Sequence, residues 1–244
     1  MTGAAVVIQA RMGSTRLPGK SLATLRGLPV IDWVVRRARL AEGVDEVVVA
    51  TSTDASDDEL ADHVAANGWM AVRGDPLDVL DRYATALEQV GHDRIVRVTG
   101  DCPFVQPALI DMALDLLVDG VQYVATGHEG RFPRGFDCEA IDREALLVAH
   151  AEAIDPVERE HVTPFIARRP ERFPSIALPS PPWAQRPEFR LTLDEADDLA
   201  MLRALADGLD RDPEDIDGPT LIGFLDAHPE IAAINAHVRH NTEH

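Results

Sequence analysis

The chain has 244 residues, of which 45% are hydrophobic and 27% charged, and its formal net charge is −19. A chain of this length and apolar content can bury a sizeable core, so it is not intrinsically disordered and fits one domain over residues 1–244. The acidic excess argues against partners that bind through clustered Lys and Arg, namely nucleic-acid polymers and anionic membrane surfaces.

The first two-thirds of the chain alternate short Val-rich segments with amphipathic segments, which is typical of βαβ units and a mostly parallel sheet. The Val-rich segments are almost continuously apolar, as expected for strands covered on both faces. Strands are predicted over residues 4–9, 44–50, 70–73, 94–99 and 121–126. Helices are predicted over residues 29–41, from a capping box at Ser56–Glu59 to before Gly68, from an N-cap at Asp75 to Gly91, and over 107–118.

The alternation is less regular after residue 128. A strand is predicted over 136–141, helices over 142–153 and 157–168, then a Pro-rich stretch, a last strand over 189–193, a helix over 195–207 and two short terminal helices. Residues 128–188 are therefore predicted to be an insertion that supplies acceptor or subunit contacts, and residues 209–244 a helical appendage.

Neither membrane insertion nor export is indicated. The longest uncharged stretch, residues 173–185, is short and rich in Pro, and no basic leader precedes the first apolar segment. The two cysteines, Cys102 and Cys138, form neither a CxxC pair nor a disulfide framework. We therefore expect a reduced, cytoplasmic protein.

Positive charge is concentrated at one end of the chain. Residues 1–40 carry a formal charge of +6 and the remaining residues −25. Of the 23 basic residues, 22 are Arg and one is Lys20, which marks a position where a compact ammonium suits the site better than a guanidinium. This distribution indicates a local site for a small polyanion in an otherwise acidic molecule.

The loop after the first predicted strand carries much of this charge. In open α/β sheets, ligands bind beyond the carboxyl ends of the strands, where this loop lies. Its glycines permit close backbone approach or positive φ, its hydroxyls donate hydrogen bonds, and its cations bind phosphate oxygens. The residues concerned are Arg11, Gly13, Ser14, Thr15, Arg16, Gly19 and Lys20. The loop is neither a Walker A motif nor GxGxxG, and a solvated basic turn is the alternative interpretation.

The segment VIQARMGSTRLPGKSL, with VVVATS, RGD followed by VLDRY, VRVTGDCP, EREHVTP and RLTLD later in the chain, resembles a known family. The resemblance is to cytidylyltransferases of the spore-coat polysaccharide biosynthesis type, which are related to the CMP-sialic acid and CMP-Kdo synthetases, and it covers most of residues 4–207. It implies a Rossmann-like, three-layer α/β/α nucleotidyltransferase fold with a mostly parallel sheet. It also implies a homodimer.

The resemblance further implies a role for each matching residue. The triphosphate of CTP would be held by the first loop, through Ala10, Arg11, Gly13, Ser14, Arg16 and Lys20. Arg73 would contact the cytosine, Ser52 would lie near the base or the ribose, and Asp101 and Asp194 would hold Mg²⁺. Nucleotidyl transfer needs such a cation to neutralise charge on the departing pyrophosphate. Alternatively, Asp101 is only a turn residue and Asp194 only the N-cap of the helix that follows.

Several polar residues between 128 and 188 are candidates for binding the acceptor. If residues 136–141 form a strand, the carboxylates of Asp137 and Glu139 project to the same side, where they bind acceptor hydroxyls, a second metal or only solvent. His161 can orient or deprotonate an acceptor hydroxyl, and Arg134 and Arg159 can bind an acceptor carboxylate or phosphonate.

We therefore expect a Mg²⁺-dependent enzyme that transfers CMP from CTP to a hydroxyl of an acidic sugar or related anionic acceptor. Two alternatives remain open. Asp137-Cys138-Glu139 resembles the DxD motif of metal-dependent glycosyltransferases, which use a nucleotide-sugar donor. The acceptor of a cytidylyltransferase can also be a compound other than a sugar, such as a hydroxyalkylphosphonate.

Overall fold

The computed structural model describes residues 3–126 and 131–238. The strands in these residues are β1 (Ala4–Gln9), β2 (Thr24–Leu25), β3 (Leu28–Pro29), β4 (Glu46–Ser52), β5 (Met70–Gly74), β6 (Arg94–Thr99), β7 (Tyr123–Ala125), β8 (Glu139–Asp142) and β9 (Ser175–Ala177). The α-helices are α1 (Val30–Ala38), α2 (Asp58–Ala66), α3 (Val79–Val90), α4 (Pro107–Leu116), α5 (Arg143–Glu152), α6 (Pro156–His161), α7 (Pro164–Ala167), α8 (Ala196–Leu209), α9 (Gly218–Ala227) and α10 (Pro229–Ala232).

Seven strands form one central sheet in the order β5-β4-β1-β6-β8-β7-β9, and β2 pairs with β3 in a small separate hairpin. Strands β5, β4, β1 and β6 are mutually parallel, whereas β8 is antiparallel to both of its neighbours. The predicted mostly parallel α/β sheet is therefore confirmed. Because the carboxyl ends of β1, β4 and β6 lie at one edge, the loops that follow them converge there.

Helices cover both faces of the sheet, which gives the predicted three layers. One hydrophobic cluster joins the sheet to α1, α2, α4, α8 and α9, and the other joins it to α3, α5 and α7. Helix α6 contacts α3 on that second face. Alternate residues of β1 enter the two clusters, Val6 and Ile8 on one face and Val7 on the other. Burial on both faces explains why this strand is an unbroken apolar run.

The predicted strands over residues 4–9 and 94–99 are confirmed residue for residue, but two predicted helix starts are wrong. The side chain of Asp54, rather than Ser56, caps the turn before α2, and a 3₁₀ turn comes first. Asp75 accepts a hydrogen bond from the Leu77 amide in its own turn, and Asp78 is the N-cap of α3. In both places an acid two or three residues away made the cap, because short acidic side chains compete for the same free amides.

The single helix predicted over residues 157–168 is divided into α6 and α7. Val162 interrupts it with a φ of 71°, and Pro164 begins α7. One continuous helix cannot pass through Pro164, because proline lacks an amide hydrogen and its ring would clash with the carbonyl four residues earlier. The break leaves His161 at the end of α6, where it faces the carboxyl edge of the sheet.

The predicted last strand, 189–193, is not a strand, and it makes a single parallel bridge between Arg134 and Arg190. It still lies beside the β6 end, because the Leu193 amide donates to the Asp101 carbonyl at 2.8 Å. The sequence did not predict β9, which lies in the Pro-rich stretch. Part of the predicted insertion contributes β8 and β9 to the central sheet. Among the described residues, no helix is long and apolar enough to span a bilayer.

Candidate active site

A cleft of about 270 Å³ opens at the carboxyl edge of β1 and β6. Its walls come from the loop after β1, the turn after β6, the first turn of α3 and the last turn of α6. Charged side chains dominate these walls, and they include Arg11, Arg16, Lys20, Arg82, Asp101, Glu160 and Asp194. The cleft is therefore suited to an anionic ligand that binds together with a cation.

Short hydrogen bonds close the loop after β1 on itself. The Met12 carbonyl accepts from the amides of Ser14 and Gly19 at 2.9 and 3.0 Å, and the Ser21 hydroxyl donates to the Arg11 carbonyl. Gly19 has a φ of 74°, a conformation that favours glycine. Gly13 has no positive φ, and a Cβ there would meet no protein atom within 4 Å. Only Gly19 is thus required by the backbone, while Gly13 keeps the cleft wall open.

Lys20 lies between the two aspartates that the resemblance assigns to the metal. Its Nζ donates to Asp101 Oδ2 at 2.8 Å, to Asp194 Oδ1 at 3.1 Å and to the Leu193 carbonyl at 2.7 Å. Burial alone would lower the pKa of Lys20, but the two carboxylates outweigh it and hold that pKa above its usual value. Burial would raise the pKa of Asp101, and Lys20 reverses that effect as well. Lys20 and Asp101 are therefore both charged at neutral pH.

Asp194 is held in place by a second, buried pair. Arg190 Nη2 donates to Asp194 Oδ2 at 2.8 Å, and Arg190 is itself fixed by the wholly buried Asp198. Asp198 also accepts from the backbone amides of Asp194 and Glu195 at 2.9 and 3.0 Å. The predicted N-cap role of Asp194 is wrong, because Glu195 is the N-cap of α8 and forms a capping box with Asp198. Asp194 is consequently free to point its carboxylate into the cleft.

The two cleft aspartates fit a hard divalent cation. Both carboxylates already converge on one positive atom, the Lys20 Nζ, so they lie close enough to share a single ion. Within the described ranges, no three His, Cys, Asp or Glu side chains form a metal-binding group. Mg²⁺ commonly takes one or two carboxylates and completes its shell with phosphate oxygens and water. Asp101 and Asp194 match that pattern.

A buried carboxylate that the sequence did not single out, Asp57, ties this loop to the end of β4. It accepts from the Met12 amide at 2.6 Å and from both the amide and the hydroxyl of Ser52. The Ser52 hydroxyl also accepts from the Asp54 amide, so its proton and one of its lone pairs are engaged within the protein. Asp57 lies in a run of polar residues from 51 to 59, where no pattern distinguishes the buried acid from the exposed ones.

Asp57→Ala should lower the free energy of unfolding by about 1–3 kcal/mol, because two amides and a hydroxyl lose their buried acceptor. Urea denaturation followed by circular dichroism measures the change. The control is Asp62→Ala, an exposed acid on the neighbouring helix, for which we expect less than about 0.5 kcal/mol. If the two substitutions lower the free energy of unfolding equally, Asp57 does not anchor the loop.

Arg82 is a further cleft residue that the sequence analysis missed. Its side chain is buried, Nη1 donates to the Asp75 carbonyl at 2.7 Å, and Nε has no partner among the described residues. Burial lowers its pKa, and the nearby Arg11 acts in the same direction. Gly74 makes room for it, since a Cβ there would lie 2.8 Å from Arg82 Cγ. The helical pattern of α3 shows only that this position faces inward.

The structure brings nine of the predicted site residues to the cleft: Ala10, Arg11, Gly13, Ser14, Arg16, Lys20, Asp101, His161 and Asp194. Ser52 and Arg73 lie to one side of it and contact each other. Arg73 Nε donates to the Ser52 carbonyl at 2.8 Å, and its Nη2 pairs with Asp58 at 2.6 Å. The contacts of Ser52 and Arg73 with the base or the ribose stay predictions.

The remaining candidates, Arg134, Asp137, Glu139 and Arg159, are not among the cleft-lining residues. The strand assumed to carry both carboxylates is wrong, because β8 begins at Glu139 and Asp137 lies in the preceding loop. Asp137 accepts from the Gly135 amide, whereas Glu139 binds Arg97, Tyr123 and Thr163. Arg159 pairs with Asp78 and donates to two backbone carbonyls, which indicates a structural role.

Comparisons with known proteins agree with this geometry. Residues 5–206 match the family described as Cytidylyltransferase. The chain is 34% identical to the spore coat polysaccharide biosynthesis protein SpsF of Bacillus subtilis, over 93% of this chain and 95% of that protein. It is 33% identical to the 3-deoxy-manno-octulosonate cytidylyltransferase of Anaeromyxobacter dehalogenans, over 86% and 88%.

Solved structures show the same fold. A cytidylyltransferase from Leptospira borgpetersenii superposes with a TM-score of 0.88 at 28% identity, covering 95% of this chain and 97% of that one. CMP:2-keto-3-deoxy-manno-octonic acid synthetase in complex with CTP superposes with a TM-score of 0.60 at 22% identity, covering 84% and 98%.

Proposed function

The chain belongs to the cytidylyltransferase family, and from that premise we propose that it transfers CMP from CTP to a hydroxyl of an acidic sugar, with Mg²⁺ as cofactor. The main support is the convergence of Lys20, Asp101 and Asp194 beside a cation-rich loop. Such a site can neutralise a triphosphate while holding one metal ion against it. Two relatives that act on 3-deoxy-manno-octulosonate, a carboxylated sugar, support the acceptor class.

The reaction is a displacement at the α-phosphorus of CTP. The acceptor hydroxyl oxygen forms the new bond to phosphorus, the bond to the bridging oxygen of pyrophosphate breaks, and its electron pair leaves with pyrophosphate. The hydroxyl proton passes to a base in the cleft, for which His161 is our candidate. Positioning and charge stabilisation supply most of the rate in such transfers, so no covalent nucleophile is required.

The cationic and the anionic side chains of the cleft have different roles in this reaction. Arg11, Arg16 and Lys20 bind the triphosphate and stabilise negative charge that accumulates on pyrophosphate, and the buried Arg82 adds a fourth cation. Asp101 and Asp194 would hold Mg²⁺, and the ion would supply charge neutralisation for the phosphate oxygens. The anionic acceptor would occupy the part of the cleft next to α6, beside His161.

The glycosyltransferase alternative has less support from this arrangement. It needs Asp137 and Glu139 as a metal site, but Glu139 binds Arg97, Tyr123 and Thr163, and Asp137 binds its own loop. Neither carboxylate lines the cleft.

Pyrophosphate release tests the proposal. We would incubate the protein with Mg²⁺, CTP and one acceptor, chosen from 3-deoxy-manno-octulosonate, N-acetylneuraminate and 2-hydroxyethylphosphonate, and identify the CMP-linked product by mass spectrometry. We expect an acid sugar to give equal amounts of pyrophosphate and product, with UTP, ATP and GTP at least about 100-fold slower. If only the phosphonate is turned over, the acceptor is a hydroxyalkylphosphonate and not an acidic sugar. Hydrolysis of a nucleotide sugar without any pyrophosphate from CTP would contradict the proposal.

A further inference from the structure

A chain of polar contacts links the first strand to the segment that carries the acceptor candidates. Arg97 Nε on β6 donates to Gln9 Oε1 at the end of β1, at 3.2 Å. Arg97 Nη1 binds Glu139 on β8, whose other oxygen accepts from Tyr123 and from the Thr163 hydroxyl. Gln9 lines the cleft, whereas the other four residues lie behind it.

The hydrogen bond from Arg97 determines the orientation of the Gln9 side-chain amide. The guanidinium of Arg97 can only donate hydrogen bonds, so the amide oxygen, rather than the nitrogen, must face it. Nε2 therefore turns away from Arg97 and carries two N–H donors, which have no partner among the described residues. A wall residue of the cleft thus presents two neutral donors that the fold itself does not use.

Arg97 is held firmly enough to impose this orientation. Burial alone would lower its pKa, but the Glu139 carboxylate outweighs that effect and raises it. Burial would likewise raise the pKa of Glu139, and Arg97 reverses the shift. The side chains of both residues are about 15% exposed. Among the described residues Arg97 and Glu139 form an ion pair only with each other, and this pair holds Arg97 where its Nε reaches Gln9.

The position of Gln9 favours the acceptor over the nucleoside. Val7, which lies on the same face of β1, packs in the cluster that contains α3 and α7, and α6 contacts α3, so Gln9 points to this helical layer. Gln9 pairs in register with Thr99 on β6, and its side chain reaches on toward β8. Ser52 and Arg73, on β4 and β5, lie on the opposite side of β1. The side chain thus points away from the predicted base contacts and toward the layer that holds His161.

We propose that Gln9 is an acceptor-binding residue whose Nε2 donates to a carboxylate or hydroxyl oxygen of an acidic sugar, and that Arg97 is the residue that positions it. This assignment rests on the proposed function and gives the acceptor a specific contact. The donors suit an oxygen-rich anion because they bind it without adding further charge to a cleft already crowded with cations.

Binding of two acid sugars to the complete chain tests the contact directly. The probes are 3-deoxy-manno-octulosonate and N-acetylneuraminate, titrated by calorimetry in the presence of Mg²⁺ and cytidine 5′-(α,β-methylene)triphosphate, which cannot react. For Gln9→Met, we expect the sugar Kd to rise about tenfold or more, while the Kd of the nucleotide analogue changes less than about twofold. Gln9→Glu should bind the sugar still more weakly, because a carboxylate would face an anion.

Two further variants distinguish loss of the contact between Gln9 and the sugar from a general disturbance of the fold. Gln89→Met, at an exposed position on α3, makes the same chemical change away from the cleft and should alter neither Kd. Arg97→Lys keeps a positive charge beside Glu139 but removes the Nε that orients Gln9. It should weaken sugar binding as Gln9→Met does, and the double variant should lose little more than either single one.

Three results would overturn the proposal: unchanged sugar binding in Gln9→Met, equal weakening of sugar and nucleotide analogue, or no binding of either sugar to the unaltered protein. The last result would reject the acid-sugar acceptor together with Gln9. Binding of the nucleotide analogue in the same titration would still support cytidyl transfer, so the two failures are distinguishable.

Discussion

A Lys20→Met variant should lose about 10³-fold in kcat/KM for cytidyl transfer. Lys20 supplies the only buried ammonium of the cleft, since it is the single lysine of the chain. Methionine has a similar length and no charge, so it leaves developing charge on pyrophosphate without this donor. The rate of pyrophosphate release from CTP, measured with the acceptor that the panel identifies, gives the effect.

The same variant should bind a divalent cation more tightly in the absence of nucleotide. Lys20 Nζ lies 2.8 and 3.1 Å from the two aspartates, in the position where a shared cation would sit. Removing the ammonium takes one cationic partner from each carboxylate and eliminates its repulsion of a metal ion, so we expect the affinity for Mn²⁺ alone to rise about tenfold or more. Electron paramagnetic resonance of free Mn²⁺ measures this without any turnover.

Arg39→Met serves as the control, because Arg39 is exposed at the end of α1 and lies outside the cleft. It should change neither Mn²⁺ binding nor turnover. If Lys20→Met and the unaltered protein bind Mn²⁺ equally, the two aspartates do not form the metal site that we propose. If Lys20→Met binds Mn²⁺ more tightly but keeps its turnover, Lys20 does not contact the triphosphate.

Asp198→Ala should be among the most destabilising substitutions, with a loss of about 3–5 kcal/mol in the free energy of unfolding. The carboxylate is wholly buried and accepts hydrogen bonds from Arg190, from Asn235 and from two backbone amides at the start of α8. Alanine leaves the Arg190 charge buried with one fewer acidic partner and removes the acceptor from both amides. Urea denaturation measures the loss.

The adjacent Asp197→Ala is a matched control, because it removes an exposed acid of the same helix turn. Among the residues that the structure describes, Asp197 forms an ion pair only with the exposed His237, so the expected change is below about 1 kcal/mol. If the two variants lose similar free energies of unfolding, the acids in the first turn of α8 stabilise the protein through their charge alone. Asp198 would then not be the residue that orders Arg190 and Asp194.

The effect of Asp198 should also depend on pH in a defined direction. Burial alone would raise the pKa of Asp198, but hydrogen bonds from Arg190 and Asn235 outweigh it and lower that pKa. A carboxylate whose pKa is lowered by folding stabilises the folded state above its unfolded-state pKa, and this contribution is lost as the pH falls. The stability difference between the unaltered protein and Asp198→Ala should therefore be constant above about pH 5 and shrink below about pH 4.

Much of the site could be predicted because it follows one strand. Arg11, Ser14, Arg16 and Lys20 lie within ten residues, so local sequence was enough to place them on one loop at the carboxyl edge. The roles of Asp101 and Asp194 came from the family resemblance. The acceptor side was harder to predict, since periodicity does not show where a strand begins. That is why Asp137 was assigned to a strand it precedes.

The sequence by itself determined the α/β class, the mostly parallel sheet and the cationic loop, because apolar periodicity and strand-end position are local properties. Only the tertiary structure decided which charges meet. Lys20 contacts Asp101 and Asp194 across 81 and 174 residues of chain, and Gln9 receives its orientation from Arg97 across 88. Such pairings depend on how layers pack and which buried groups need partners, and no short-range pattern encodes them.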